Sequence, residues 1–124
     1  MRRVAFPKDV LSLLDRTSEV DIETRSSQGS VHRVPIWIVV AGDDVYARSW
    51  RGSQARWYRE LMAREGVLLA GRRRIPVRAV RAVDPDSVRR TSEGYQTKYR
   101  TSRSTPSMLR DEVLDTTIRL EPAG

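Results

Sequence analysis

With 124 residues, 39% of them hydrophobic and 31% charged, the chain fits one folded domain spanning 1–124 and excludes a disordered one. No apolar run longer than 36–41 occurs, far below the roughly 20 residues of a membrane span, and there is no cysteine, which excludes disulfides and thiolate metal sites. The formal net charge is +7, so an anionic partner is favoured.

The first residues are basic without a continuous apolar core, so no signal peptide is expected, and a cytoplasmic location is the bland reading. A helix is predicted over 7–16, with Pro7 at its first position and Val10, Leu13 and Leu14 as its apolar stripe. Residues 20–24 alternate apolar and polar, as a half-buried strand does, and 26–30 are turn material. A long strand is predicted over 31–41, a turn over 42–44 and a return strand over 45–50, giving a three-stranded antiparallel meander.

Next comes RSWRGSQARWYRELM, residues 48–62. Ser53 is the expected N-cap of a helix that puts Trp57, Tyr58, Leu61 and Met62 on one side, with Gly66 ending it. A hairpin is predicted from 67–70 and 75–83 around the tip 71–74. A polar helix follows over 85–98, then a loop over 104–108 and a last strand over 113–120. The sum is a mainly β fold with three flanking helices (α+β) and six antiparallel strands, enough to close a small barrel.

Residues 25–103 hold seventeen basic and seven acidic side chains, so the cationic part is the middle of the chain. At the strand-to-helix junction, Arg48, Arg51 and Arg56 surround Gly52. There a helix N-terminus and flexible backbone would suit a phosphate. A solvated basic loop before an ordinary amphipathic helix accounts for the same residues. In the long strand, alternation puts Arg33, Pro35 and Trp37 on one face. Pro35 cannot donate to a ladder, so pairing should lapse there and free backbone groups for a ligand.

The ordered pattern Gly29, Arg33-x-Pro35-Ile36-Trp37, Gly42 to Tyr46, Ser49-x-Arg51-Gly52 and Trp57-Tyr58 resembles the flavin-binding split β-barrels. These are the pyridoxamine-phosphate-oxidase-like proteins. Within them the pattern is nearest the deazaflavin (F-420)-dependent nitroreductase branch and an allied uncharacterised family, domain of unknown function 2255. The resemblance covers about residues 18–83. It implies a six-stranded split barrel binding FMN or the deazaflavin coenzyme F-420. Arg33, Ser49, Arg51 and Gly52 would contact the cofactor phosphate, with Arg56 beside them. Pro35, Ile36 and Trp37 would line the ring, and Trp57 would close the pocket side. It further implies a homodimer and two-electron reduction of a small organic substrate. The chain departs from the branch at Ser26 to Ser30, where a basic turn is usual, and at Arg59–Glu60, where an asparagine-leucine pair is usual.

No GxGxxG or GxxxxGK[ST] motif is present, and His32 is the only histidine, so His-rich metal sites and serine–histidine–acid triads lack partners. The alternative is a cofactor-free basic barrel that binds nucleic acid or protein. Arg72 to Arg74 at a hairpin tip, and Tyr95 and Tyr99 among Lys98 and Arg100, could stack and neutralise a strand, or simply form a solvated face over packed tyrosines.

Overall fold

The computed structural model describes residues 5–123. Seven strands, β1 (Val20–Arg25), β2 (Val31–Ile36), β3 (Ile38–Ala41), β4 (Asp44–Ala47), β5 (Gly66–Ala70), β6 (Arg73–Arg81) and β7 (Ile118–Pro122), form one antiparallel sheet curved into a half-barrel. Their spatial order is β2-β1-β5-β6-β7-β4-β3. Helices α1 (Lys8–Arg16), α2 (Arg56–Ala63), α3 (Pro85–Lys98) and α4 (Asp111–Leu114), with a 3₁₀ turn at Thr105–Met108, flank it. Among the described residues no helix is long and apolar enough to cross a membrane.

The sheet has seven strands where the sequence predicts six, because the expected strand 31–41 is divided at Trp37. The expected lapse at Pro35 does not occur. Pro35 pairs with Asp21 and Ile36 with Val20, so the ladder runs to the end of β2. Proline is tolerated because β2 is an edge strand, where alternate backbone groups face no neighbour. Pairing switches one residue later, when Ile38 begins the ladder with Ala47 of β4.

The concave side buries Ile22, Ile36, Ile38, Leu68, Val77 and Leu120 against Val10, Leu11 and Leu14 of α1 and Tyr58 and Leu61 of α2. A second cluster, Val39, Tyr46, Tyr95, Tyr99 and Met108, lies under α3. The β3–β4 pair is thus covered on both faces, which is why 36–41 is a continuous apolar run rather than an alternating one.

Helix α3 spans its predicted residues, capped by the Asp84 carboxylate accepting from the Ser87 N–H at 3.0 Å. Other boundaries move. Ser53 is not the cap of α2. The helix begins at Arg56 after Ala55, with no side-chain cap, because Gly52 at φ +85° first turns the chain, its N–H bonding the Ser49 carbonyl at 2.9 Å. Gly66 does not end that helix, which stops at Ala63. It opens β5, where a Cβ would lie 2.8 Å from the Glu23 carbonyl oxygen. The last strand begins at Ile118, five residues later than predicted, and Val113 lies in the unforeseen α4. The Thr116 and Thr117 hydroxyls donate to the Val113 and Leu114 carbonyls, both at 2.7 Å. The β-branched pair therefore closes a helix instead of entering a ladder. Four α-helices and a 3₁₀ turn replace the three helices expected.

Candidate functional site

The break at Trp37 faces the exit of β4, the first turn of α2 and the 3₁₀ turn, and between them lies a cavity of about 360 Å³. Pro35, Ile36 and Trp37 form one wall, Arg48 and Trp50 a second, and Trp57 a third. Ser104, Ser107 and Met108 close it from the 3₁₀ turn, with Glu19 at its edge. All three tryptophans of the chain therefore line this one cavity.

Trp37 is held rigidly. Its indole stacks on the Tyr99 ring at 4.1 Å with planes 2° apart. The Tyr95 hydroxyl donates to its carbonyl at 2.8 Å while accepting the Arg48 backbone N–H at 3.0 Å. The Tyr99 hydroxyl donates to the Ser18 and Ile38 carbonyls at 2.6 and 3.2 Å. Burial pushes both phenols above their ordinary pKa, so both remain neutral donors. Lys98 donates to the Leu14 and Ile38 carbonyls, each at 2.9 Å, and burial pulls its ammonium down to about 8. Trp57 meets Tyr58 edge to face at 5.9 Å. Trp50 is 55% exposed, with the Arg51 guanidinium 5.2 Å from its ring centroid.

Arg48 is only 1% exposed. Its Nε donates to Thr117 Oγ1 at 2.8 Å. One Nη donates to Ser92 Oγ and the Met108 carbonyl and the other to the Val88 carbonyl, each at 2.9 Å. Every one of these acceptors is neutral. Burial pulls its pKa below the usual guanidinium value, and no carboxylate among the described residues pairs with it.

Of the expected site residues, the structure brings Pro35, Ile36, Trp37 and Trp57 together around this cavity. The expected phosphate contacts are scattered. Arg33 lies on the outer face of the sheet, 3.0 Å from Glu23 Oε1, while Arg74 sits 2.9 Å from the other oxygen. Those two guanidinium bonds hold the Glu23 carboxyl below its ordinary pKa. Ser49 is fully buried, its N–H on Thr116 Oγ1 at 3.0 Å and its own hydroxyl without a partner. Arg51 and Arg56 are exposed and Gly52 is half-buried. All three flank Trp50 and Trp57 in the chain but stand outside the lining. Sequence reasoning missed Glu19, Trp50, Ser104, Ser107 and Met108 as wall residues. It weighed Arg48 only as one of several loop cations, with nothing to mark it as the buried one. Among the described residues no group of His, Cys, Asp and Glu is placed to hold a metal ion.

The family described as "Uncharacterized protein conserved in bacteria (DUF2255)" matches residues 10–120, and the chain belongs to it. Solved split-barrel structures share the fold. ChuZ from Campylobacter jejuni aligns with a TM-score of 0.70 at 11% identity over 93% of this chain and 52% of that one, so this chain spans about half its length. An F420 reductase aligns at 0.58 and 16% identity, over 96% and 97% of the two chains. HutZ, the heme storage protein from Vibrio cholerae, aligns at 0.61 and 12%, over 99% and 92%. At these identities the likeness is one of fold. No curated protein matches the sequence.

Proposed function

We propose that this family member uses the cavity at the β2–β3 break to hold a flavin-type ring, FMN or the deazaflavin coenzyme F-420, and reduces a small organic substrate by two-electron transfer. The observation that carries the reading is the gathering of all three tryptophans with Pro35 and Ile36 around one cavity of about 360 Å³. That volume is near the lower end of the roughly 300–1,000 Å³ usual for ligand sites, so it suits a ring system, with a phosphate tail left at the rim. Trp37, fixed by Tyr99 and Tyr95, offers a planar stacking partner whose orientation costs nothing on binding. Arg51 and Arg56 stand beside the mouth in the chain, where charge-assisted contacts to a tail phosphate are geometrically reasonable.

A bound ring of this kind would itself supply the hydride chemistry. The chain's part is to clamp it between aromatic walls, exclude water with Trp50 and Met108, and set the local field through Arg48. An F420 reductase with the same fold supports the deazaflavin form. A heme storage protein shares the fold as well, but no histidine lines this cavity: His32 is engaged with Glu60, 3.0 Å away.

The test is titration with FMN and with F-420, followed by tryptophan fluorescence. Saturable quenching by one of them is expected. Arg51→Ala should weaken that binding roughly tenfold, the loss of one charge-assisted contact, whereas Arg64→Ala should leave it unchanged. No quenching by either coenzyme overturns the reading. Salt-sensitive binding of oligonucleotides, equally weakened by both substitutions, would put the basic nucleic-acid-binding barrel in its place.

A further inference from the structure

We infer that Arg48 makes the cavity selective for an aromatic anion over a neutral aromatic molecule of the same shape. This deepens the reading of the cavity as a ligand site and does not depend on which coenzyme occupies it.

Arg48 lines the cavity, yet it is 1% exposed and donates to four neutral oxygens: Thr117 Oγ1, Ser92 Oγ and the carbonyls of Met108 and Val88. Hydroxyls and carbonyls orient the guanidinium without cancelling its charge. The other buried charges among the described residues are handled differently: Glu23 and Glu121 are each met by arginine. Lys98, only half-buried, is also held by carbonyls but stands outside the cavity lining. Arg48 has only the face of Tyr95, 5.9 Å from its ring centroid. A charge removed from water without a counter-ion is unfavourable unless something else offsets it, and among the described residues no acid pairs with this one.

The adjacent space is the cavity, walled by tryptophan, proline, isoleucine and methionine. In such surroundings the field of a fixed guanidinium is screened far less than that of a surface cation. Glu19, the one carboxylate in the lining, is exposed at the edge, where water attenuates it. The inner wall is therefore positive and aromatic. A planar ring bearing delocalised negative charge satisfies both properties, and its affinity gains from a cation that the fold has already desolvated and oriented.

Two fluorescent probes separate the charge from the shape: 8-anilinonaphthalene-1-sulfonate and its neutral counterpart N-phenyl-1-naphthylamine. Energy transfer from tryptophan to the probe reports occupancy next to the tryptophan-lined walls. The wild-type protein should bind the sulfonate roughly tenfold more tightly, a difference that persists at moderate salt because the cation is buried. Arg48→Met should equalise the two probes while keeping affinity for the neutral one, and Arg64→Ala, an exposed cation away from the cavity, should retain the preference. If Arg48→Met does not fold, the wild-type ratio, its salt series and the Arg64→Ala ratio decide alone. Equal affinities, a preference that collapses with salt, or one lost in Arg64→Ala each overturn the role of Arg48. Failure of both probes to bind overturns the cavity itself as a ligand site.

Discussion

Arg48 and Ser49 are adjacent in the chain and both buried, but one has four side-chain hydrogen bonds and the other has none. A buried hydroxyl without a partner costs about 1 kcal/mol or more. Ser49→Ala should therefore leave stability unchanged or raise it by about 1 kcal/mol, measured by urea denaturation. A clear loss would show that the hydroxyl is engaged. The gathering of Pro35, Ile36, Trp37 and Trp57 around one cavity was legible because an ordered motif marks them. The arginines were not separable. Arg48, Arg51 and Arg56 read alike as loop cations, and only Thr117, Ser92 and Val88, forty or more residues away, make one of them a buried wall. Ser104, Ser107 and Met108 were illegible for the same reason: their segment carries no motif, and its place over the cavity follows from α3 crossing the sheet.

At the scale of elements, α2 carries Trp57 and is pinned to the sheet by Glu60. Its carboxylate accepts from Thr24 Oγ1 at 2.8 Å and lies 3.0 and 3.1 Å from His32 Nδ1. Burial pushes the Glu60 pKa up, but the bonds from His32 and Thr24 outweigh it, and the net shift is downward. A carboxyl whose folded pKa is depressed contributes stability above its unfolded pKa and loses it as pH falls through the folded value. The α2 clamp should therefore hold at neutral pH and weaken on acidification below the ordinary carboxylate range. The Trp57 emission would change with it. Glu60→Gln should cost about 1 kcal/mol at neutral pH and flatten that acid limb. An acid limb identical to wild type would remove Glu60 from it. Helix α3 was readable to the residue because Asp84 and Pro85 are local start signals. The starts of α2 and β7 were not, since Gly52 and the paired threonines act through backbone turns and back-bonds that propensity does not encode.

Across the whole molecule, no helix among the described residues covers the outer face of β2, β1, β5 and β6, while that of β3 and β4 lies under α3. It presents Pro35, Pro76 and Val31, the last 49% exposed, among the Arg33–Glu23–Arg74 and Arg78–Glu121 ion pairs. A homodimer that covers this face is the expected assembly. Sedimentation at tens of micromolar should give twice the chain mass, and Val31→Asp should shift it toward one. A monomer for the wild type removes the dimer. Strand content and most strand positions were legible from alternation and turns. The order was not, because placing β7 between β6 and β4 joins residues roughly forty to seventy apart through pairings with no local signature.

That placement has a consequence for how the protein is made. Without β7 the sheet falls into two pieces that share no ladder, β2-β1-β5-β6 and β4-β3, tethered through Trp37 and through the segment 48–65 that carries α2. Synthesis runs from the N-terminus, so a nascent chain holds both pieces with their inner edges unpaired until residue 122 has cleared the ribosome. Closure is then a single late event. The Arg48 side chain, which needs Thr117 from the same segment, gains its full set of partners only at that moment.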